Sequence, residues 1–294
     1  CFTNTVFGRK ANGLLNGLIC NFYGENFSIM EYIMEKTRYD VTIVVAVRNG
    51  VSTIRDTFRS LAIQETSLRI EVLIFDALSD DGTSSIVSEY TSNNTFWSHY
   101  RESDDRLYGA WNKGIRLAQS PYIFFLNADD TLVDEFVIQS LLDAVTENNS
   151  VSVGGQTVMI NPLGKEVRDG FGGGIGSMAK KMTHLTPASI FETAALRNLS
   201  GFDRKYKVSS DYDLVLRLYL EHPDRMHIII RDVVNFSVAG MSNLRLQKEA
   251  FKEVRIIVRD RLGYLGYCRR VVYEYSSYVK AKIYMLILGG HNEV

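Results

Sequence analysis

Between residues 40 and 160, short and mostly apolar runs alternate with helical patterns at intervals of roughly 20–30 residues. This alternation constrains the fold more than any other feature. VTIVVAV (41–47), IEVLIFDA (70–77) and PYIFFLNA (121–128) are continuous apolar runs of the kind buried on both faces of a sheet. TFWSHYRE (95–102) and VSVGGQTVMI (151–160) are further strand signals. Between them, VSTIRDTFRSLAIQ (51–64), LYGAWNKGIRLAQ (107–119) and DEFVIQSLLDAVTE (134–147) carry helical spacing. LSDDGTSSIVSEYTS (78–92) predicts a loop and a short helix capped by Asp81 or Thr83. The pattern predicts an α/β fold with a mainly parallel sheet. Ligands of such sheets bind beyond the carboxyl ends of the strands, where Asp76 and Asn127 to Asp130 fall.

The second half is less regular. NPLG (161–164) reads as a turn, and DGFGGGIGSM (169–178) as a flexible loop around Gly172 to Gly174. SSDYDLVLRLYLEH (209–222) predicts a helix capped by Ser209 or Ser210, with Asp211 and Asp213 suited to the positive end of its dipole. MHIIIRDVVNFSVAG (226–240) is strand-like, and two helical stretches follow at about 244–261 and 267–286. The expected organisation is an N-terminal extension (1–38), a main domain (39–240) and a C-terminal helical region (241–294).

A hydrophobic fraction of 46% with 11% aromatics supports a sizeable core and excludes a disordered chain. With 33 basic and 34 acidic residues, the net charge of -1 gives no case for nucleic acid as a partner. Cys1, Cys20 and Cys268 form neither a CxxC pair nor a zinc spacing, which points to a reducing, cytoplasmic setting. No run reaches the roughly 18 apolar residues of a membrane span, and no secretory signal is expected. LGYLGYCRRVVYEYSSYVKAKIYMLILGG (262–290) mixes aromatic, basic and aliphatic residues. It suits an amphipathic helix on an anionic bilayer, at the inner face of the plasma membrane. It equally suits a helix packed on the main domain or on a second copy in a homodimer.

The chemistry centres on FFLNADD (124–130), an apolar run that ends on two adjacent carboxylates. Two anions side by side repel, and a site that tolerates them usually supplies a cation. The blander alternative is a capping pair, since DDTLVDE precedes a helix.

Four segments in order resemble the inverting family 2 glycosyltransferases of the GT-A fold, particularly bacterial enzymes that assemble surface polysaccharides. They are VTIVVAVRNG, IEVLIFDALSDDGTSSIV, ESDDRLYGAWNKGIRLAQSPYIFFLNADD and SGFDRKYKVSSDYDLVLRL, covering residues 40 to about 240. The resemblance implies a Rossmann-like nucleotide-diphospho-sugar transferase fold with a mixed, mainly parallel sheet and C-terminal helices. It implies transfer of a hexosyl or N-acetylhexosaminyl group from a nucleotide-sugar donor to a glycan or lipid-linked acceptor.

On this resemblance Asp129 and Asp130 would hold Mg2+ or Mn2+, which neutralises the departing diphosphate. Asn127 stands where many members have Asp and, with Ala128 and Asp129, would line the nucleotide. Asp76 would accept a hydrogen bond from the base, with uracil the natural donor, or else cap the following turn. Ala46, Val47 and Arg48 would line the base; the Arg48 guanidinium either stacks on it or lies in solvent. Asn112 and Lys113 match a pair near the donor, while Gly109 and Trp111 depart from the usual residues. Asp211 would be the base that deprotonates the acceptor, with a capping acid as the alternative. Asp213 lies about 200° further round the helix and cannot share that role. Thr186 occupies a position where the family often has His, and His184 comes two residues early. Two rival readings remain: a nucleotidyltransferase, and a non-catalytic nucleotide-sugar-binding pseudoenzyme.

Overall fold

The computed structural model describes residues 39–103, 106–160, 166–169, 175–237 and 244–289. The N-terminal extension, the 161–164 turn, Gly172 to Gly174 and the boundary at 240 lie outside these residues.

The apolar runs form β1 (Val41–Val47), β2 (Ile70–Asp76) and β4 (Tyr122–Asn127), with β3 (Trp97–Arg101) between the last two in the chain. Every β1 side chain except Ala46 is buried, because alternate residues feed two separate cores. Ile43 and Val45 pack with α1 (Ile54–Ala62), α2 (Thr83–Asn93) and α4 (Val137–Glu147) on one face. Val44 faces the opposite layer, which holds α3 (Arg106–Leu117), α6 (Thr193–Asn198), α7 (Ser210–Glu221) and part of α8 (Leu244–Gly289). A strand buried on both sides has no polar face to alternate, which is why these runs are continuous. Trp111 is core, packed against Phe125 and Phe202. Its loss would cost about 3–5 kcal/mol on the usual scale for buried aromatics. Gly114 lets α3 lie directly on β1, since a Cβ there would meet Val44 Cγ2 at 2.5 Å.

The second half adds β5 (Thr131–Leu132), β6 (Ser152–Ile160), β7 (Glu166–Asp169), β8 (Ser189–Glu192), β9 (Met226–Asn235) and the one-turn α5 (Ile175–Met178). The strand order is β3-β2-β1-β4-β8-β6-β9-β5, with β7 on β6. The β3 to β4 portion is parallel, whereas β8 joins antiparallel to both β4 and β6. The mixed α/β sheet with C-terminal helices is therefore as expected, while β5 and β8 are too short to carry a readable pattern. β9 ends at Asn235, earlier than its apolar pattern suggests. The two expected C-terminal helices are the two arms of α8, which meet at a non-helical Gly263 with a φ of 71°. Among the described residues, no helix is long and apolar enough to cross a membrane.

Candidate active site

From β1 the chain steps outward to β2 and β3, then returns to place β4 on the other side of β1. That reversal opens a crevice at the carboxyl end of β1, where ligands of such sheets bind. In register, Val47 faces Asp76 on one side, and Ala46 faces Asn127 on the other. Three of the four segments singled out in the sequence thus meet at one sheet edge.

Their side chains are not equivalent. Arg48, at the turn after β1, and Asp129, after β4, are exposed; Ala46, Asn127 and Ala128 are partly exposed. Val47 is buried, and its carbonyl accepts the Ala77 N–H at 2.9 Å, so any contact it lends runs through backbone. Asp76 is 0% exposed. Its Oδ1 accepts the Ser79 N–H at 2.8 Å, its Oδ2 accepts the Ser84 hydroxyl, and His99 lies 3.6 Å away. Burial would raise its pKa, but these donors and the histidine hold it below the usual carboxylate value. Asp76 therefore fixes the turn that follows β2, through partners that local patterning did not reveal. Asp81 ties that turn to the one after β1, accepting the N–H groups of Thr83 (3.0 Å) and Val51 (3.0 Å).

The adjacent acids after β4 separate. Asp130 is 1% exposed, accepting the Ser237 N–H at 2.8 Å and the Asn127 amide at 2.7 Å. Burial pushes it up to about 7, against those hydrogen bonds, with the Asp129 charge adding to the rise. The two acids expected to share a metal therefore sit differently: Asp130 is held inward by two hydrogen bonds, and Asp129 is exposed. Asp129 borders a depression of about 360 Å³ shared with Thr131, Asn235 and Phe236. No trio of His, Cys, Asp or Glu able to cage a metal occurs among the described residues. A hard cation held by one carboxylate and by phosphate oxygens needs no such cage, so the residues present fit Mg2+ or Mn2+ bound together with a diphosphate.

Asn112 and Lys113, on α3, are both committed. The Asn112 amide donates to the Phe202 carbonyl and accepts the Phe202 N–H, each at 2.8 Å. Gly201 makes this staple possible: its φ is 68°, and a Cβ there would lie 2.3 Å from Asn112 Oδ1. Asn112 thus positions the turn before α7 through the Phe202 backbone. Lys113 pairs with Glu102 at 2.8 Å.

Asp211 opens α7. Its Oδ1 accepts the Tyr212 N–H at 2.8 Å and lies 3.0 Å from the Tyr108 hydroxyl, whose single proton is shared between this carboxylate and the Val208 carbonyl at 2.7 Å. α3 begins just past the carboxyl end of β3, so Tyr108 ties the first turn of α7 to the same edge of the sheet as the crevice. Burial raises the Asp211 pKa, opposed by the Tyr212 N–H and the Tyr108 hydroxyl. Burial also drives the Tyr108 phenol well above its ordinary value, so it stays a protonated donor.

Neither expected serine caps α7 through its side chain. Instead Glu253 of α8, 6% exposed, accepts the N–H groups of Lys207 (2.7 Å), Val208 (3.0 Å) and Ser209 (2.9 Å). Asp213 is fully buried between Arg217 (2.7 Å) and Arg261 (2.9 Å), committed to two ion pairs. His184 is a core residue, 0% exposed beside Tyr219, and burial lowers its pKa to about 4. Thr186 is buried as well.

Residues 42–196 match the family model described as Glycosyl transferase family 2. A PGL/p-HBAD biosynthesis glycosyltransferase of Mycobacterium tuberculosis is 24% identical over 228 residues, covering 76% of this chain and 86% of that protein. Among solved structures, S. aureus TarS 1–349 superposes with a TM-score of 0.60 at 17% identity. That match covers 76% of this chain and 66% of the other, so the chain spans about two thirds of that structure's length. A mannosyltransferase from Pyrobaculum calidifontis, solved with GDP-Man and Mn2+, gives a TM-score of 0.61 at 14% identity over 84% of this chain and 74% of that one. These neighbours share the GT-A fold.

Proposed function

Because the chain belongs to glycosyl transferase family 2 and is a glycosyltransferase, we propose that it moves a sugar, with inversion, from a UDP-sugar to a glycan or lipid-linked acceptor in polysaccharide assembly. One observation carries the reading. The β1 register gathers Asp76 and Asn127 at a single crevice, Asp129 follows Asn127, and Tyr108 holds Asp211 at the same sheet edge.

The base lies over Ala46, Val47 and Arg48, with the Arg48 guanidinium against its plane. Asp76 shapes the turn beside it and retains acceptor capacity for an imide N–H, since a carboxylate offers about four lone-pair sites. Asn127 and Ala128 line the ribose side, and Lys113 adds positive charge near the donor. Asp129 holds Mg2+ or Mn2+, which offsets charge developing on the diphosphate as it leaves. Asp211 takes the proton of the acceptor hydroxyl as that oxygen attacks the anomeric carbon from the face opposite the leaving group. Tyr108 keeps the carboxylate oriented toward that proton. UDP release from UDP-glucose and UDP-N-acetylglucosamine, with proton NMR of the product anomer, tests this. A retained anomeric configuration would overturn the inverting assignment.

The C-terminal helix supports a peripheral membrane contact. Leu246, Phe251, Tyr264, Leu265, Val272 and Tyr275 are exposed on it. A groove of about 1060 Å³ at its bend is lined by Lys180, Lys248, Lys252 and Arg259 among others. Exposed apolar and basic residues together suit an anionic bilayer surface. Co-sedimentation with phosphatidylglycerol vesicles but not phosphatidylcholine vesicles is the expected result. Failure to sediment, with a dimer mass by light scattering, would assign this face to a second copy.

A further inference from the structure

We propose that a small cationic pocket beside Asp211 binds a phosphate group carried by the acceptor. The proposal deepens the transfer reaction above and rests on Asp211 as its base. The pocket, about 200 Å³, is lined by Arg106, Tyr108, Arg204, Tyr206 and Lys207. Arg106 and Tyr108 come from the first turn of α3, and the other three from the segment leading into α7. Among the described residues, three cations and two phenols line it, and no carboxylate does.

Two observations mark it as built for a ligand. Tyr206 is 4% exposed, yet its hydroxyl has no hydrogen-bond partner among the described residues. Buried polar atoms nearly always find a partner, and this one belongs to a residue that lines the pocket, where a small side-chain shift would offer its O–H to a bound anion. Arg106 has a φ of 66°, a left-handed conformation uncommon outside glycine. Strain of this kind persists where the surroundings enforce it and clusters at ligand sites.

The charge and size select the ligand. Neither Arg106 nor Lys207 makes an ion pair among the described residues, and both are exposed to an incoming anion. A volume of about 200 Å³ is below the usual range for pockets that take whole small molecules. It accommodates a phosphate group rather than a nucleoside diphosphate. The Tyr108 hydroxyl lies 3.0 Å from Asp211 and also lines the pocket. A bound phosphate would therefore sit one phenol away from the base and present a neighbouring hydroxyl of the same molecule to it. The acceptor class is a sugar or polyol phosphate, as monoester or diester.

Equilibrium titration with glycerol 3-phosphate, on the full chain saturated with UDP and Mg2+, tests this, with glycerol as the uncharged control. Glycerol 3-phosphate should bind and glycerol should not. Arg106→Ala combined with Lys207→Ala should weaken binding about tenfold or more, the scale of lost charge-assisted contacts. Tyr206→Phe should weaken it by about threefold. UDP affinity and melting temperature should be unchanged in all variants. Binding that is abolished by UDP would place the pocket in the donor site and overturn the proposal. So would binding equal in wild type and variants, or none in either. If UDP fails to bind while variant-sensitive phosphate binding persists, the donor reading fails and the pocket stands.

Discussion

Glu253 accepts the Ser209 N–H at 2.9 Å, two residues before Asp211, although the two partners lie 44 positions apart in the chain. With the Lys207 and Val208 N–H groups on the same carboxylate, α8 supplies the cap that α7 lacks from its own side chains. The C-terminal helix is thereby coupled to the candidate base. Glu253→Ala should strand three backbone donors, each costing about 1–3 kcal/mol if buried and unmet. Urea unfolding should show a loss of at least about 3 kcal/mol. Glu253→Gln should fold better, yet turn over more slowly at unchanged donor affinity.

Asp211→Asn should lower turnover by roughly a hundredfold to ten-thousandfold, the usual contribution of a positioned base. Donor binding, measured by titration with UDP, should remain. Because burial raises the Asp211 pKa, the acid limb of the rate profile should lie above the ordinary carboxylate range. Tyr108→Phe removes a hydrogen bond that favours the charged form, so it should move that limb to higher pH. An unmoved limb would show either that Asp211 is not the titrating group or that the Tyr108 proton rests on the Val208 carbonyl, and Asp211→Asn, which should abolish the limb, separates the two.

Asp76 behaves in the opposite sense. Its folded pKa is depressed below 3.8, so its stabilisation is present above that value and is lost as pH falls through the folded pKa. Asp76→Asn should lower stability at neutral pH and flatten the acid side of the stability curve. Thermal melts across pH 2 to 7 (a range of about five units around the ordinary carboxylate value) check this. An unchanged acid slope would mean that the Ser79 and Ser84 hydrogen bonds carry no pH-linked stability.

Asp129 and Asp130 should divide into function and fold. Asp130→Ala leaves the Ser237 N–H and the Asn127 amide without their acceptor and should cost about 1–3 kcal/mol in urea unfolding. Asp129→Ala, at an exposed position, should unfold like the parent but lose metal-dependent donor binding.

These two acids show what the sequence could and could not carry. The runs that became β1, β2 and β4 were readable to within a residue or two, because burial on both faces leaves no alternating polar face to blur them. The α/β class followed from their order with the helices between, and the GT-A expectation from the resemblance of four segments to family 2 glycosyltransferases. Asp129 and Asp130 are identical in type and adjacent, and only their packing separates a strut from an outward carboxylate. The Asn112 amide holds Phe202, 90 positions away, a tie that no local pattern carries. β8 is four residues long and is defined by its partners on either side, not by its own pattern. Glu253 left no local signal, since a lone glutamate in a helix reads as surface.

The central claim is a metal-dependent UDP-sugar site at the β1 crevice. The most direct measurement is the melting temperature with UDP and with GDP, each with and without Mn2+, in the parent chain and in Asp129→Ala. A ligand at a hundredfold over its dissociation constant adds about 2.7 kcal/mol, enough to shift the melt visibly. The expected result is a shift with UDP that requires Mn2+, is smaller with GDP, and disappears in Asp129→Ala. A shift that ignores Mn2+ or survives Asp129→Ala would contradict the metal site, and no shift with either nucleotide would contradict the donor site itself.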